Sequence, residues 1–75
     1  MHARPAAAFV KIAQQFKSDI YVERNGQTVN GKSILGLLTL ACPQGAVLTL
    51  RIDGPDVLEA MKALEGLIEN KFGED

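Results

Sequence analysis

The first residues of the chain combine side chains that could bind and accept a phosphoryl group. His2 is the only histidine, Arg4 follows it closely, and Pro5 comes next. Proline is tolerated in the first turn of a helix, so a helix is predicted to begin here. Backbone N–H groups at a helix N-terminus favour a bound anion, and an arginine can hold phosphate with two parallel hydrogen bonds. The spacing predicts a site where the His2 imidazole carries a phosphoryl group or lies beside one.

The chemistry of imidazole suits this role. Its ordinary pKa near ~6.5 leaves a neutral nucleophilic nitrogen at neutral pH, and a helix N-terminus disfavours the protonated ring. A phosphoryl-transfer transition state needs mainly positioning and compensating charge, so a small carrier suffices. The alternative is an exposed His2 without a role beside a solvated Arg4. The Arg4-Pro5 pair and a second motif, described below, favour the carrier.

Length and composition indicate one small domain, residues 1–75. The apolar fraction of 47% and charged fraction of 23% are those of an ordinary folded protein. A net charge of −1 does not favour nucleic-acid or anionic-membrane binding. A lone cysteine, Cys42, excludes an internal disulfide and favours a cytoplasmic location, and no apolar run is long enough for a membrane span. One cysteine and one histidine suggest no metal site, and no cofactor is expected.

The first half of the chain predicts a helix, a hairpin and a second helix. The first helix has an apolar stripe at helical spacing, comprising Ala6, Phe9, Val10, Ala13 and Phe16, and ends at Ser18-Asp19. Strands 20–24 and 27–29 flank Asn25-Gly26, a strong hairpin signal. Ser33 is the predicted N-cap of a helix over residues 34–41. Its inward residues are expected to be Ile34, Leu37, Leu38 and Ala41.

The second half predicts one strand and one helix. Residues 46–52 alternate between apolar and polar positions, as in a strand with one buried face. Gly54-Pro55 precedes a long helix capped by Gly73, with Ala60, Met61, Leu64, Leu67, Ile68 and Phe72 inward. The resulting α-β-β-α-β-α order predicts an α+β open-faced sandwich, with three helices on one face of a small antiparallel sheet.

Two motifs together resemble a known family. The segment Met1-His2-Ala3-Arg4-Pro5-Ala6 closely resembles the active-site signature of HPr, the histidine-containing phosphocarrier of bacterial phosphotransferase systems. Residues 30–36, Asn-Gly-Lys-Ser-Ile-Leu-Gly, resemble the regulatory serine segment of that family. The resemblance extends through Gly45 and residues 53–56 to the closing Lys-Phe-Gly-Glu of residues 71–74.

The resemblance implies a phosphoryl carrier rather than a turnover enzyme. His2 would accept a phosphoryl group from enzyme I, itself charged by phosphoenolpyruvate, and pass it to a IIA-type component. In the family the Nδ1 atom carries the phosphate, and Arg4 would lie beside it. A regulatory adaptor, for example of the nitrogen-related phosphotransferase branch, is the alternative function.

The resemblance also implies a regulatory site and a docking face. Ser33 would be phosphorylated by an HPr kinase, although its simpler role is that of an N-cap, worth roughly 1 kcal/mol. The partner-binding face would comprise Ala7, Lys11, Lys32, Leu35 and Leu38. Alternatively, both leucines belong to the core.

One departure from the family pattern lies before His2. HPr-like chains normally carry a first strand ahead of the histidine, and it pairs beside the last strand; here only Met1 precedes His2. Either translation starts at an earlier residue or the chain is truncated, and an inert fragment is then a further alternative. As written, the sequence predicts an exposed apolar edge on strand 46–52, which favours self-association.

Overall fold

Six elements follow one another in the predicted order. The computed structural model describes residues 3–40 and 48–69. Their elements are helix α1 (Ala3–Ala13), strands β1 (Asp19–Arg24) and β2 (Gln27–Asn30), helix α2 (Ile34–Thr39), strand β3 (Thr49–Asp53) and helix α3 (Val57–Glu69). The expected features at residues 1–2, 41–47 and 70–75, among them His2, Cys42, Gly45, Phe72 and Gly73, lie outside the described residues.

The three described strands form an antiparallel sheet in the order β2-β1-β3. The β1–β2 hairpin closes at the Arg24–Gln27 pair. Its turn residues Asn25 and Gly26 have φ values of 51° and 80°. Positive φ at both positions gives a turn whose twist matches that of the strands, which explains the Asn-Gly sequence. The hairpin prediction is confirmed.

The helices pack on one face of this sheet and enclose the core. On β1, Ile20 and Val22 point into the core and are 1% and 0% exposed. Helix α1 contacts both α2 and α3, while α2 contacts β2 and α3 contacts β3. Among the residues that the structure describes, the fully buried apolar side chains are Ala6, Phe9, Ala13, Ile20, Val22, Leu37, Leu40, Ala60 and Leu64. This arrangement confirms the predicted α+β architecture.

Helix α2 is shorter than predicted, and two of its expected core residues face outward. It ends at Thr39, and Leu37 and Leu40 are buried, at 0% and 1% exposure. Ile34 and Leu38 are 39% and 40% exposed, so the prediction that they point inward was wrong. A helix of six residues presents only a narrow strip to the core, and Leu37 occupies that strip, followed by the buried C-cap residue Leu40.

The ends of α1 and β3 also differ from the predictions. Helix α1 ends at Ala13, and the chain continues through tight turns in which Gln15 N–H donates to Ile12 O and Phe16 N–H to Ala13 O. The predicted helix end at Ser18-Asp19 was therefore too late. Strand β3 begins at Thr49, with Leu50 and Ile52 half-buried on the core side and Thr49 and Arg51 exposed, as the alternation predicted.

A hydrogen-bonded cluster ties the α1–β1 connection to the start of α3. The Asp56 carboxylate accepts the backbone N–H groups of Lys17 and Ser18, at 2.8 and 2.9 Å, and the Ser18 hydroxyl. Asp56 N–H donates back to Ser18 Oγ at 3.2 Å. The Ser18 hydroxyl, followed by the Lys17 N–H, lowers the pKa of Asp56 to about 2. Ser18 is completely buried, so this carboxylate satisfies polar groups that would otherwise lack partners.

Glycine is required at position 54 by this cluster. Gly54 has φ +153°, and a Cβ added there would lie 2.5 Å from Ser18 Cα. A side chain would therefore collide with backbone, and no rotamer change relieves such a contact. The close approach brings the start of α3 against Ser18 and allows Asp56 to reach it.

Candidate functional site

The N-terminal turn of α1 presents a cationic surface. Arg4 lies in this turn and is exposed, while Pro5 and Ala6 behind it are buried and fix the helix against the core. The first turn contains no acidic residue, so the turn itself supplies no carboxylate to compensate the positive end of the helix dipole. The turn is therefore electrostatically suited to a negatively charged group. His2 itself lies outside the described residues.

Arg4 belongs to an exposed stripe along α1. Ala7 and Lys11 are also exposed, and positions 4, 7 and 11 lie on one side of a helix. We call these three residues the α1 stripe. It runs from the helix N-terminus, with a small residue between two cations. Three residues predicted to contact a phosphate or a partner thus share one accessible face.

Ser33 occupies the N-cap of α2, as predicted. Its backbone is extended, with φ −112° and ψ 115°, and its Oγ accepts the Gly36 N–H at 3.2 Å. Its carbonyl oxygen accepts the Leu37 N–H at 3.1 Å, which begins the helical hydrogen bonds. The Ser33 side chain is half-buried. The capping function is thus present, and the hydroxyl stands at the positive end of a short helix.

The outer side of α2 is apolar. Leu35 is 74% exposed, and Ile34 and Leu38 are exposed by 39% and 40%. These three residues form what we call the α2 patch. Leu35 was predicted at a docking face, Leu38 either there or in the core, and Ile34 in the core. Its spacing in the sequence fits either side of so short a helix, so only the packing identifies it as a surface residue.

Lys32 has a structural contact that the sequence did not reveal. Its Nζ donates to the Phe16 carbonyl oxygen at 2.7 Å, and its backbone N–H donates to Asn30 Oδ1 at 2.8 Å. Phe16 O lies just beyond α1, where carbonyl groups lack helical partners and a cation is favourable. Lys32 therefore joins the α1–β1 connection to the segment before α2. No sequence signal links two residues at this separation.

Two other classes of site find no support in residues 3–40 and 48–69. Within these ranges, no group of three or more His, Cys, Asp or Glu side chains is arranged to hold a metal ion. The helices described there are also too short or too polar to cross a membrane.

Known proteins share both the sequence and the fold. A family model described as "PTS HPr component phosphorylation site" matches residues 1–70. The phosphocarrier protein HPr of Neisseria meningitidis serogroup A is 50% identical over 74 residues, which are 99% of this chain and 83% of that protein. The HPr-like protein Crh of Halalkalibacterium halodurans is 48% identical over 71 residues, 95% of this chain and 84% of that protein.

A solved structure gives the same result. The crystal structure of HPr from Thermoanaerobacter tengcongensis aligns with a TM-score of 0.93 and 53% identity, covering 99% of this chain and 83% of that one. Fold and sequence together define a phosphocarrier of the phosphotransferase system. The chain belongs to the HPr family.

Proposed function

We propose that the chain accepts a phosphoryl group on His2 from phosphoenolpyruvate-charged enzyme I and passes it to a IIA-type component. The observation that carries this proposal is the HPr family match over residues 1–70, a range that includes both His2 and the Ser33 segment. The exposed Arg4 in an α1 turn free of acidic residues supports it, because such a turn stabilises negative charge.

The proposed transfer requires little from the carrier. A lone pair on an imidazole nitrogen of His2 forms the new N–P bond while the bond from phosphorus to the donor breaks, and its electrons remain with the donor. The reverse exchange at the IIA component regenerates free His2. In both steps, the Arg4 guanidinium offers hydrogen bonds to the equatorial phosphate oxygens.

The α1 stripe and the α2 patch are the proposed docking face for both partners. The two helices contact each other, so cations and exposed apolar side chains lie on neighbouring elements. Leu35 and Leu38 would supply apolar contact, and Ala7 leaves room for a partner's surface. Lys11 would favour acidic partners and accelerate association. Lys32 lies at the rim, with its ammonium engaged by Phe16 O.

Intact-mass analysis after incubation with phosphoenolpyruvate and enzyme I tests the proposal. We expect an acid-labile gain of one phosphoryl group that His2→Ala abolishes. Arg4→Ala should slow phosphorylation about tenfold or more, because it removes both the charge and the paired hydrogen bonds. Arg4→Lys retains the charge but loses the forked geometry, so its rate should lie between those of the parent chain and Arg4→Ala. Label that persists in His2→Ala, or no label with several enzyme I proteins, would contradict the proposal.

Matched lysine variants test the docking face. Lys11→Ala should raise the KM for the carrier in enzyme I turnover, whereas Lys62→Ala, on the exposed side of α3, should not. Both lysines are exposed helical residues, so a difference between the variants reports their position. An equal rise in KM for the two variants would indicate that enzyme I responds to the net charge of the carrier and not to the position of Lys11.

Regulation through Ser33 is the second candidate function, by an HPr kinase/phosphorylase using ATP. The position of its hydroxyl at the α2 N-terminus supports it, because a phosphate there is compatible with the helix dipole and would add negative charge beside the α2 patch. ATP-dependent label that Ser33→Ala removes and His2→Ala retains would support it. Phosphorylation of His2 but never of Ser33 would refute regulation through Ser33, and only the proposed carrier function would remain.

A further inference from the structure

The chain contains the dipeptide Asn-Gly twice, at Asn25-Gly26 and at Asn30-Gly31. In such a pair the backbone nitrogen of the glycine can attack the amide carbon Cγ of the asparagine before it and close a succinimide ring. Glycine favours this reaction, because it has no side chain to hinder its own nitrogen and its backbone rotates freely. The two pairs are chemically identical, so a difference in their reactivity must come from the fold.

The first Asn-Gly pair is open to solvent. Asn25 and Gly26 form the turn between β1 and β2, and both residues are exposed. A Cβ placed on Gly26 would meet no heavy atom within 4 Å among the described residues beyond its chain neighbours. Water can therefore reach the Gly26 nitrogen to remove its proton, and the turn can rotate this nitrogen toward Asn25 Cγ without displacing another side chain.

The second Asn-Gly pair is held in place. Gly31 is buried, and its N–H donates to Ile20 O at 2.7 Å. A Cβ added to Gly31 would lie 2.7 Å from Ile20 Cγ2 and 3.1 Å from Phe9 Cε1, so Gly31 packs directly against core side chains. Asn30 Oδ1 accepts the Lys32 N–H at 2.8 Å, which restrains the other reacting group. Succinimide formation at Asn30 therefore requires local opening of this segment.

We propose that Asn25 is a deamidation site of the folded chain and that the fold protects Asn30 from the same reaction. The Gly26 nitrogen forms a bond to Asn25 Cγ, the bond from Cγ to the side-chain nitrogen breaks, and that nitrogen leaves as ammonia with the proton of the Gly26 N–H. Water then opens the succinimide at either carbonyl carbon and gives aspartate or isoaspartate. The net reaction consumes water and releases ammonia, with no oxidant or cofactor. This inference is independent of the proposed phosphoryl transfer.

The two products have different consequences for the hairpin. Both add one carboxylate, which takes the net charge from −1 to −2. Aspartate keeps the length of the turn and accepts the positive φ of 51° at this position. Isoaspartate routes the backbone through Cβ and lengthens the turn by one carbon atom, which disturbs the closing pair Arg24–Gln27. We therefore expect only the isoaspartate form to lose hydrogen-exchange protection at this end of the hairpin.

Incubation of the folded 75-residue chain at mildly alkaline pH, with a parallel sample unfolded in urea, compares the two sites directly. Peptide mapping by mass spectrometry follows the loss of the amide at each asparagine, and labelling by an isoaspartyl methyltransferase counts the isoaspartate. In the folded chain we expect Asn25 to convert about tenfold or more faster than Asn30, because the Asn30 reaction must wait for local opening. In urea the two rates should be nearly equal.

Matched aspartate variants provide the control. Asn25→Asp keeps a residue that accepts the turn, and Asn30→Asp keeps an oxygen that accepts the Lys32 N–H, so both variants should fold. The first should abolish most of the early charge heterogeneity seen by isoelectric focusing, and the second should leave it unchanged. Equal rates at the two asparagines of the folded chain, or faster conversion at Asn30, would overturn the proposal. So would an Asn25 that stays intact in the folded chain while the sample in urea has converted.

Discussion

Alanine substitutions at two leucines near one another on α2 should have different effects, one lowering the stability of the fold and the other weakening partner binding. Leu37 is completely buried in the core, whereas Leu35 is 74% exposed. Leu37→Ala removes buried methyl and methylene groups and leaves a cavity, at a cost of about 3 kcal/mol. A 75-residue domain has a total stability of about 4 to 11 kcal/mol, so this is a large fraction. Leu35→Ala exposes nothing new and should change stability by less than about 0.5 kcal/mol.

Urea denaturation followed by circular dichroism measures the difference. Leu37→Ala should lower the midpoint without changing the slope, and its thermal midpoint should fall by about 12 to 24 °C. Leu35→Ala should leave both midpoints near those of the parent chain. Both changes place alanine in the same short helix, so the helix propensity gained is equal and cancels in the comparison.

The enzyme I reaction supplies the second half of this test. Under the proposed function, Leu35→Ala should raise the KM for the carrier, because it removes apolar contact from the α2 patch. Leu37→Ala, assayed where it remains folded, should transfer phosphoryl groups with a nearly unchanged KM. Equal losses of stability in the two variants would refute the assignment of Leu35 to the surface. A raised KM for Leu37→Ala alone would refute the docking role of the α2 patch.

Two further predictions concern the cluster at the start of α3. Gly54→Ala should destabilise the fold by about 2 kcal/mol or more in urea titrations, because its Cβ would meet Ser18 backbone at a positive φ. The control Gly66→Ala, in α3 with open space around it, should instead stabilise by about 0.5 to 1 kcal/mol; equal signs would contradict the argument. The pKa of Asp56 is lowered from 3.8 to about 2, so its stabilising contribution is complete above about pH 4 and is lost as pH falls toward 2. Asp56→Asn should be less stable at neutral pH, and its thermal midpoint should fall less between pH 4 and 2; parallel pH profiles would count against this cluster.

Local chemistry explains which parts of the fold were predictable. Asn25-Gly26 specifies its turn because both residues accept positive φ, whatever packs around them. Ser33 specifies a helix start because its hydroxyl reaches the Gly36 N–H within the same segment. The strand alternation likewise identified the core side of β3. For the turn and the cap, the stabilising partner lies within a few residues, so a sequence pattern contains the whole interaction.

Long-range contacts explain the errors and omissions. Ser18 and Asp56 are 38 residues apart, and neither type of residue identifies the other as its partner. The Lys32 contact with Phe16 O spans 16 residues and uses a backbone acceptor that no sequence pattern marks. Ile34 was assigned to the core, and Leu38 was left between the core and the docking face, because hydrophobicity alone does not say which side of a short helix meets the core. Their exposure depends on where α1 packs, which is a tertiary property.

The same long-range contacts bear on how variants of the proposed docking face should be interpreted. Helix α1 is anchored at its start by the buried Pro5 and Ala6. Beyond its end, Lys32 holds Phe16 O, and Asp56 binds the backbone of the α1–β1 connection. The α1 stripe is thus presented on a helix restrained at both ends, which limits the entropy lost when a partner binds. Loss of transfer on replacing Lys32 can therefore arise from a loosened α1 as well as from a lost partner contact, and hydrogen exchange in α1 distinguishes the two causes.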